Sequence, residues 1–123
     1  MTHLILIASG GATGAISRFL TTSLIKQYFP YSFYATLLIN ILGSFLIGYL
    51  VSVGYSKNIS ENFIKYFLII GFLGSYTTFS AFSLEVVDLY LSGKFTLSFL
   101  YIIFSITLCI LASLLGMHIN KFW

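Results

Sequence analysis

The residues able to do chemistry in this chain are hydroxyls, one deep amide, an arginine and two carboxylates, and many of them crowd into a single run. Residues Gly71 to Ser83 read Gly-Phe-Leu-Gly-Ser-Tyr-Thr-Thr-Phe-Ser-Ala-Phe-Ser, in the middle of a longer apolar stretch. Glycine costs about 1 kcal/mol against alanine inside a helix, and Ser75, Thr77 and Thr78 can bond to backbone in place of water. Phe79 and Phe82 stand three apart and so share one helix face, with Ser80 and Ser83 one step further round. Non-helical backbone at membrane depth survives only where it is buried in protein or lines a polar cavity. A break followed by a mixed aromatic and hydroxyl face points to ion handling. The same glycines also suit a plain helix-packing face, and the residues of the run alone do not choose between the two.

Elsewhere, Asn40 sits in Leu-Leu-Ile-Asn-Ile-Leu-Gly-Ser-Phe, with Thr36 one turn before it. A buried amide without partners costs on the order of 1–3 kcal/mol, so Asn40 either bonds across helices or donates into a wet pathway. Arg18 follows Gly10, Gly11, Gly14 and Ala15, whose four-residue spacing lets another helix approach closely. An arginine at a helix centre costs about 2.5–3.5 kcal/mol on the insertion scale, so it either anchors the helix end or draws anions into a vestibule. The glycine string lacks the spacing, the preceding strand and the acidic partner of a nucleotide loop. Glu85 and Asp88 are three apart, near the end of their span, and mark a vestibule or the water interface. No nucleophile, histidine partner or metal-ligand spacing accompanies them, with His3 and His118 at opposite ends of the chain. Enzyme chemistry is therefore not expected. Tyr101 adds one further hydroxyl, and Cys109 is single, which excludes an internal disulfide.

Positioning these groups falls to membrane-spanning helices. The 123 residues are 59% hydrophobic and only 7% charged, too apolar for a soluble domain. The formal charge of +3 is spread without a basic cluster, so nucleic acid is not a partner. Four spans emerge by length in a single all-α domain: Leu4 to Ile25, Ser32 to Val53, Phe63 to Leu91 and Phe95 to Met117. The third would reach about 43 Å if wholly helical, against roughly 30 Å of hydrocarbon. Short links make successive helices antiparallel neighbours. With four spans, Lys57, Lys65 and Lys121 share one side and Lys26 and Lys94 the other, joined by Arg18 if it lies near that end. The counts nearly cancel, so the chain is expected to insert both ways and to pair with an inverted copy of itself.

Three linked motifs carry a resemblance. Gly10-Gly11-x-x-Gly14-Ala15-x-x-Arg18-Phe19, Thr36-x-x-x-Asn40-x-x-Gly43-Ser44-Phe45-x-x-Gly48 and Gly71-Phe72-x-Gly74-x-x-Thr77-Thr78-Phe79-Ser80-x-Phe82-Ser83 together resemble the Fluc (CrcB-type) fluoride channel family across essentially the whole chain. The resemblance implies a dual-topology dimer of two antiparallel four-helix subunits in the inner (plasma) membrane. It implies a third helix broken at its centre, two fluoride pathways along the interface, and a structural, non-transported sodium ion on the dimer axis. That ion's ligands would be the backbone carbonyls of Gly74 and Thr77 from both chains. Phe79 and Phe82 match the family's phenylalanine box, Asn40 its pore asparagine and Arg18 its first-span arginine. Thr36, Ser80, Ser83 and Tyr101 fall where pore-lining hydroxyls belong. Two positions depart from the pattern: Ser75 replaces a frequent glycine, and Ala81 stands where many relatives carry a hydroxyl.

Physical chemistry is consistent with that function, passive fluoride exit that lowers the cytoplasmic level. Fluoride is small and strongly hydrated, so a pore must replace water with close donors, which amides, hydroxyls and the electropositive edges of phenylalanine rings provide. A small dual-topology drug exporter is the main alternative. Such a protein needs an acid deep in the membrane, whereas the first span carries Arg18 and no acid. A non-transporting membrane subunit is the other, with the glycines and Asn40 as packing devices. Whether the second copy is identical or a sister chain is left open by these residues.

Overall fold

The computed structural model describes residues 1–56 and 62–119, and Lys57 and Lys121 lie outside them. The architecture is all-α, with four helical stretches long and apolar enough to cross a membrane. Helix α1 is Thr2–Tyr28 and α2 is Ser32–Ser56. The third stretch begins as a π-helix over Phe63–Leu73 and continues through a single turn, α3, Gly74–Tyr76. It resumes as α4, Phe79–Leu91, and α5 is Phe95–Ile119. Thr77 (φ −76°, ψ 157°) and Thr78 (φ −152°, ψ 113°) are extended and separate α3 from α4.

Local chemistry sets the ends. Helix α1 runs past Lys26 to Tyr28, three residues beyond the charge-based limit. Its stop is Phe29 (φ −124°, ψ 129°), which precedes Pro30 and is thereby pushed out of the helical region. Thr78 caps α4, its hydroxyl accepting the Ala81 N–H at 3.2 Å. At the other end of α4, Gly93 takes φ 74° and the Lys94 N–H returns to the Leu89 carbonyl at 3.0 Å, turning the chain into α5.

Two glycine seams bring backbones into direct contact. A Cβ at Gly10 would meet the Phe67 carbonyl and one at Gly14 the Phe72 carbonyl, which locks α1 onto the π-helix. A Cβ at Gly48 would meet the Ser113 carbonyl and one at Gly116 the Phe45 carbonyl, which locks α2 onto α5. A small core joins α2, α4 and α5, in which Phe33, Phe82, Leu89 and Tyr101 are buried together. This arrangement holds Thr77 and Thr78 against both α1 and α2.

Candidate functional site: a donor-lined cavity beside an extended pair

Extended residues inside a helical span leave backbone groups without helical partners, and at membrane depth those groups must bond elsewhere. In a continuous α-helix the Thr78 N–H would donate to the Gly74 carbonyl. Here it donates to Asn40 Oδ1 at 2.8 Å, and Asn40 Nδ2 donates to the Thr78 carbonyl at 3.0 Å. The amide thus pairs with Thr78 as another peptide would, and each partner fixes which amide atom is oxygen and which nitrogen. Asn40 has a second Nδ2 hydrogen beyond the one spent on Thr78. Its side chain lines a cavity of about 300 Å³ together with Ser44, Phe79, Phe82, Ser105 and Cys109.

The two phenylalanines differ in setting. Phe82 is buried and Phe79 is 75% exposed, their ring centroids 5.4 Å apart and their planes inclined by 47°. Phe82 also meets Tyr101 at 5.2 Å. Tyr101 donates its hydroxyl to Glu85 Oε2 at 2.8 Å, and Thr36 donates to Glu85 Oε1 at 2.9 Å. Glu85 is therefore a hub between α2, α4 and α5, where sequence alone offered only a vestibule or an interface. Ser105 was not legible as a site residue. It is buried, its hydroxyl has no partner among the described residues, and it lines the same cavity as Asn40. The available signal was spacing, since Ser98, Tyr101, Ser105, Ala112 and Gly116 form the buried stripe of α5 at steps of three, four, seven and four.

Arg18 lies at the depth of the extended pair and not at the end of α1, its Nη1 3.5 Å from the Thr77 carbonyl. That contact is long for a hydrogen bond. Arg18, Lys26, Thr36, Ser80, Glu85 and Asp88 line a polar vestibule of about 620 Å³, which also touches Ala81. The hydroxyls expected to face an ion divide. Ser80 is exposed and 3.2 Å from the Thr78 hydroxyl, whereas Ser83 donates to the Phe79 carbonyl of its own helix at 2.9 Å. Thr77 likewise donates back to Leu73 at 2.9 Å, and Gly74 is exposed.

Four apolar spans, with a donor-lined cavity between α2, α4 and α5, define a multi-pass helical membrane protein. The family model described as "CrcB-like protein, Camphor Resistance (CrcB)" matches residues 5–117, and the chain belongs to that family. A protein of Campylobacter jejuni named fluoride-specific ion channel FluC is 43% identical over 96% of this chain and 97% of its own length. Proteins of the same name from Dehalococcoides mccartyi and Flavobacterium psychrophilum are 37% and 42% identical, covering 98% and 94% of this chain and 94% of each relative. The family is thus one of ion channels and not of enzymes.

Proposed function

We propose that this chain is a fluoride-selective channel that lets the anion leave the cytoplasm passively across the inner membrane. The observation that carries the reading is the cavity beside Thr78, lined together by Asn40, whose amide has a second N–H, by Ser105, whose hydroxyl has no partner among the described residues, and by Phe79 and Phe82. Those are neutral donors and ring edges, suited to a dehydrated anion that must also be able to leave. The names of the relatives add the choice of ion. Phe79 at 75% exposure needs a neighbour to form a closed path, which favours a dimer of inverted copies around a third helix broken at Thr77–Thr78.

A structural sodium ion on the axis of such a dimer is part of the proposal. The donor set suits a hard cation: the Gly74 carbonyl has lost its helical donor to Asn40, and Thr77 offers a second carbonyl. Arg18 beside Thr77 opposes a cation there, but its contact is long and a carbonyl has two lone pairs. When bound, the ion would supply positive charge that offsets anion desolvation in a low-dielectric site. The decisive experiment is efflux from liposomes holding the purified protein, read with a fluoride electrode, against chloride and a cationic drug. Fluoride efflux alone supports the channel; drug movement coupled to protons would replace it with an exporter.

A further inference from the structure

The aromatic rings form an unbroken chain from the α1–α2 link to the extended pair. Lys94 Nζ lies 5.0 Å over the Tyr31 ring, Tyr31 meets Phe33 at 5.6 Å, and Phe33 meets Tyr101 at 5.4 Å. Tyr101 then meets Phe82 at 5.2 Å, and Phe82 meets Phe79 at 5.4 Å. Phe33 stands in the first turn of α2 and is 8% exposed, yet it lines neither the cavity nor the vestibule. Its ring occupies the space next to Tyr101, whose hydroxyl reaches Glu85 Oε2 and whose ring abuts Phe82.

We infer that Phe33 is a positioning residue for the proposed fluoride path, acting through Tyr101; the functional half of this inference rests on that channel reading. A core packed at crystal-like density holds one rotamer because the neighbours leave no alternative volume. Without the Phe33 ring, Tyr101 gains room to swing its hydroxyl away from Glu85. The carboxylate then keeps only Thr36.

The test is a double-mutant cycle in liposomes combined with a readout that needs no transport. Phe33→Ala should lower fluoride efflux by about tenfold in the unmutated background, the factor an aromatic pair of ordinary strength carries. In the Tyr101→Phe background the same change should cost under about twofold, because the hydroxyl it positions is already gone. Phe33→Leu, which fills most of the space, should keep efflux within about threefold of the unmutated protein and serves if the alanine variant does not fold. In parallel, 3-fluorotyrosine incorporated at Tyr101 should give one narrow ¹⁹F resonance that Phe33→Ala shifts or splits and Phe33→Leu largely restores. Equal losses in both backgrounds, or a fluorine resonance indifferent to Phe33, would overturn the inference. If the unmutated protein passes no fluoride, the channel reading fails, and the fluorine resonance by itself decides whether Phe33 positions Tyr101.

Discussion

The cavity and the vestibule both touch Thr78, and they differ in charge. Arg18, Lys26, Glu85 and Asp88 line the vestibule, whereas among the described residues no acidic or basic side chain lines the cavity around Asn40. A charge attracts an ion from water over a distance, but inside a low-dielectric site an opposite charge would trap it and a like charge would exclude it. Neutral donors avoid both outcomes. In the proposed channel the division of labour is that charged groups gather ions where water is present and uncharged ones strip and pass them where it is not.

Placing a charge in the neutral cavity is the strongest way to break this contrast. Asn40→Asp loses the donor to the Thr78 carbonyl and sets a carboxylate against it. Fluoride efflux should fall by about a hundredfold or more, with lower thermal stability in detergent, since the Thr78 carbonyl loses its donor at a cost of about 1–3 kcal/mol while the Thr78 N–H keeps its acceptor. Next, Phe82→Ile should lower efflux by about tenfold and Phe79→Ile by a similar factor, while the protein still elutes as one folded species. The buried ring should cost more stability than the exposed one, by about 1 kcal/mol. Ser105→Ala should reduce efflux by about threefold without destabilising, because an unpartnered buried hydroxyl contributes no bond to lose. The smallest change is expected at the vestibule: Lys26→Gln should slow efflux about twofold at low ionic strength, and the difference should fade near 0.15 M salt, where screening acts over about 8 Å.

Much of the fold was legible because hydropathy alone reports bilayer spans, and the four stretches lie where uncharged length put them. Chain ends of helices were less so, since Pro30, and not Lys26, decides where α1 stops. Within the site, local features were readable and long-range ones were not. The residue types of Asn40 and Phe82 announced themselves, and of the two readings its chemistry allowed, Asn40 shows the bond across helices, a clamp on Thr78. The role of Glu85 depends on Thr36, 49 positions before it, and Tyr101, 16 after it. Spacing along one helix carries no trace of such partners. Phe33 was hidden for a different reason, as one aromatic among many whose proposed role comes from packing against Tyr101.

The π-helix has a final consequence. Its carbonyls at Phe67 and Phe72 are five residues apart, yet they rest on Gly10 and Gly14, which are four apart. On an α-helix, positions five apart diverge by about 140°, whereas i→i+5 bonding brings them back to nearly one side. The two helices therefore mesh like the scales of a vernier, coinciding at a single setting. Sliding either by one residue takes Gly10 and Gly14 off those carbonyls, so the height of Thr77 and Thr78 along α1 is metered to one residue by a pair of mismatched rulers.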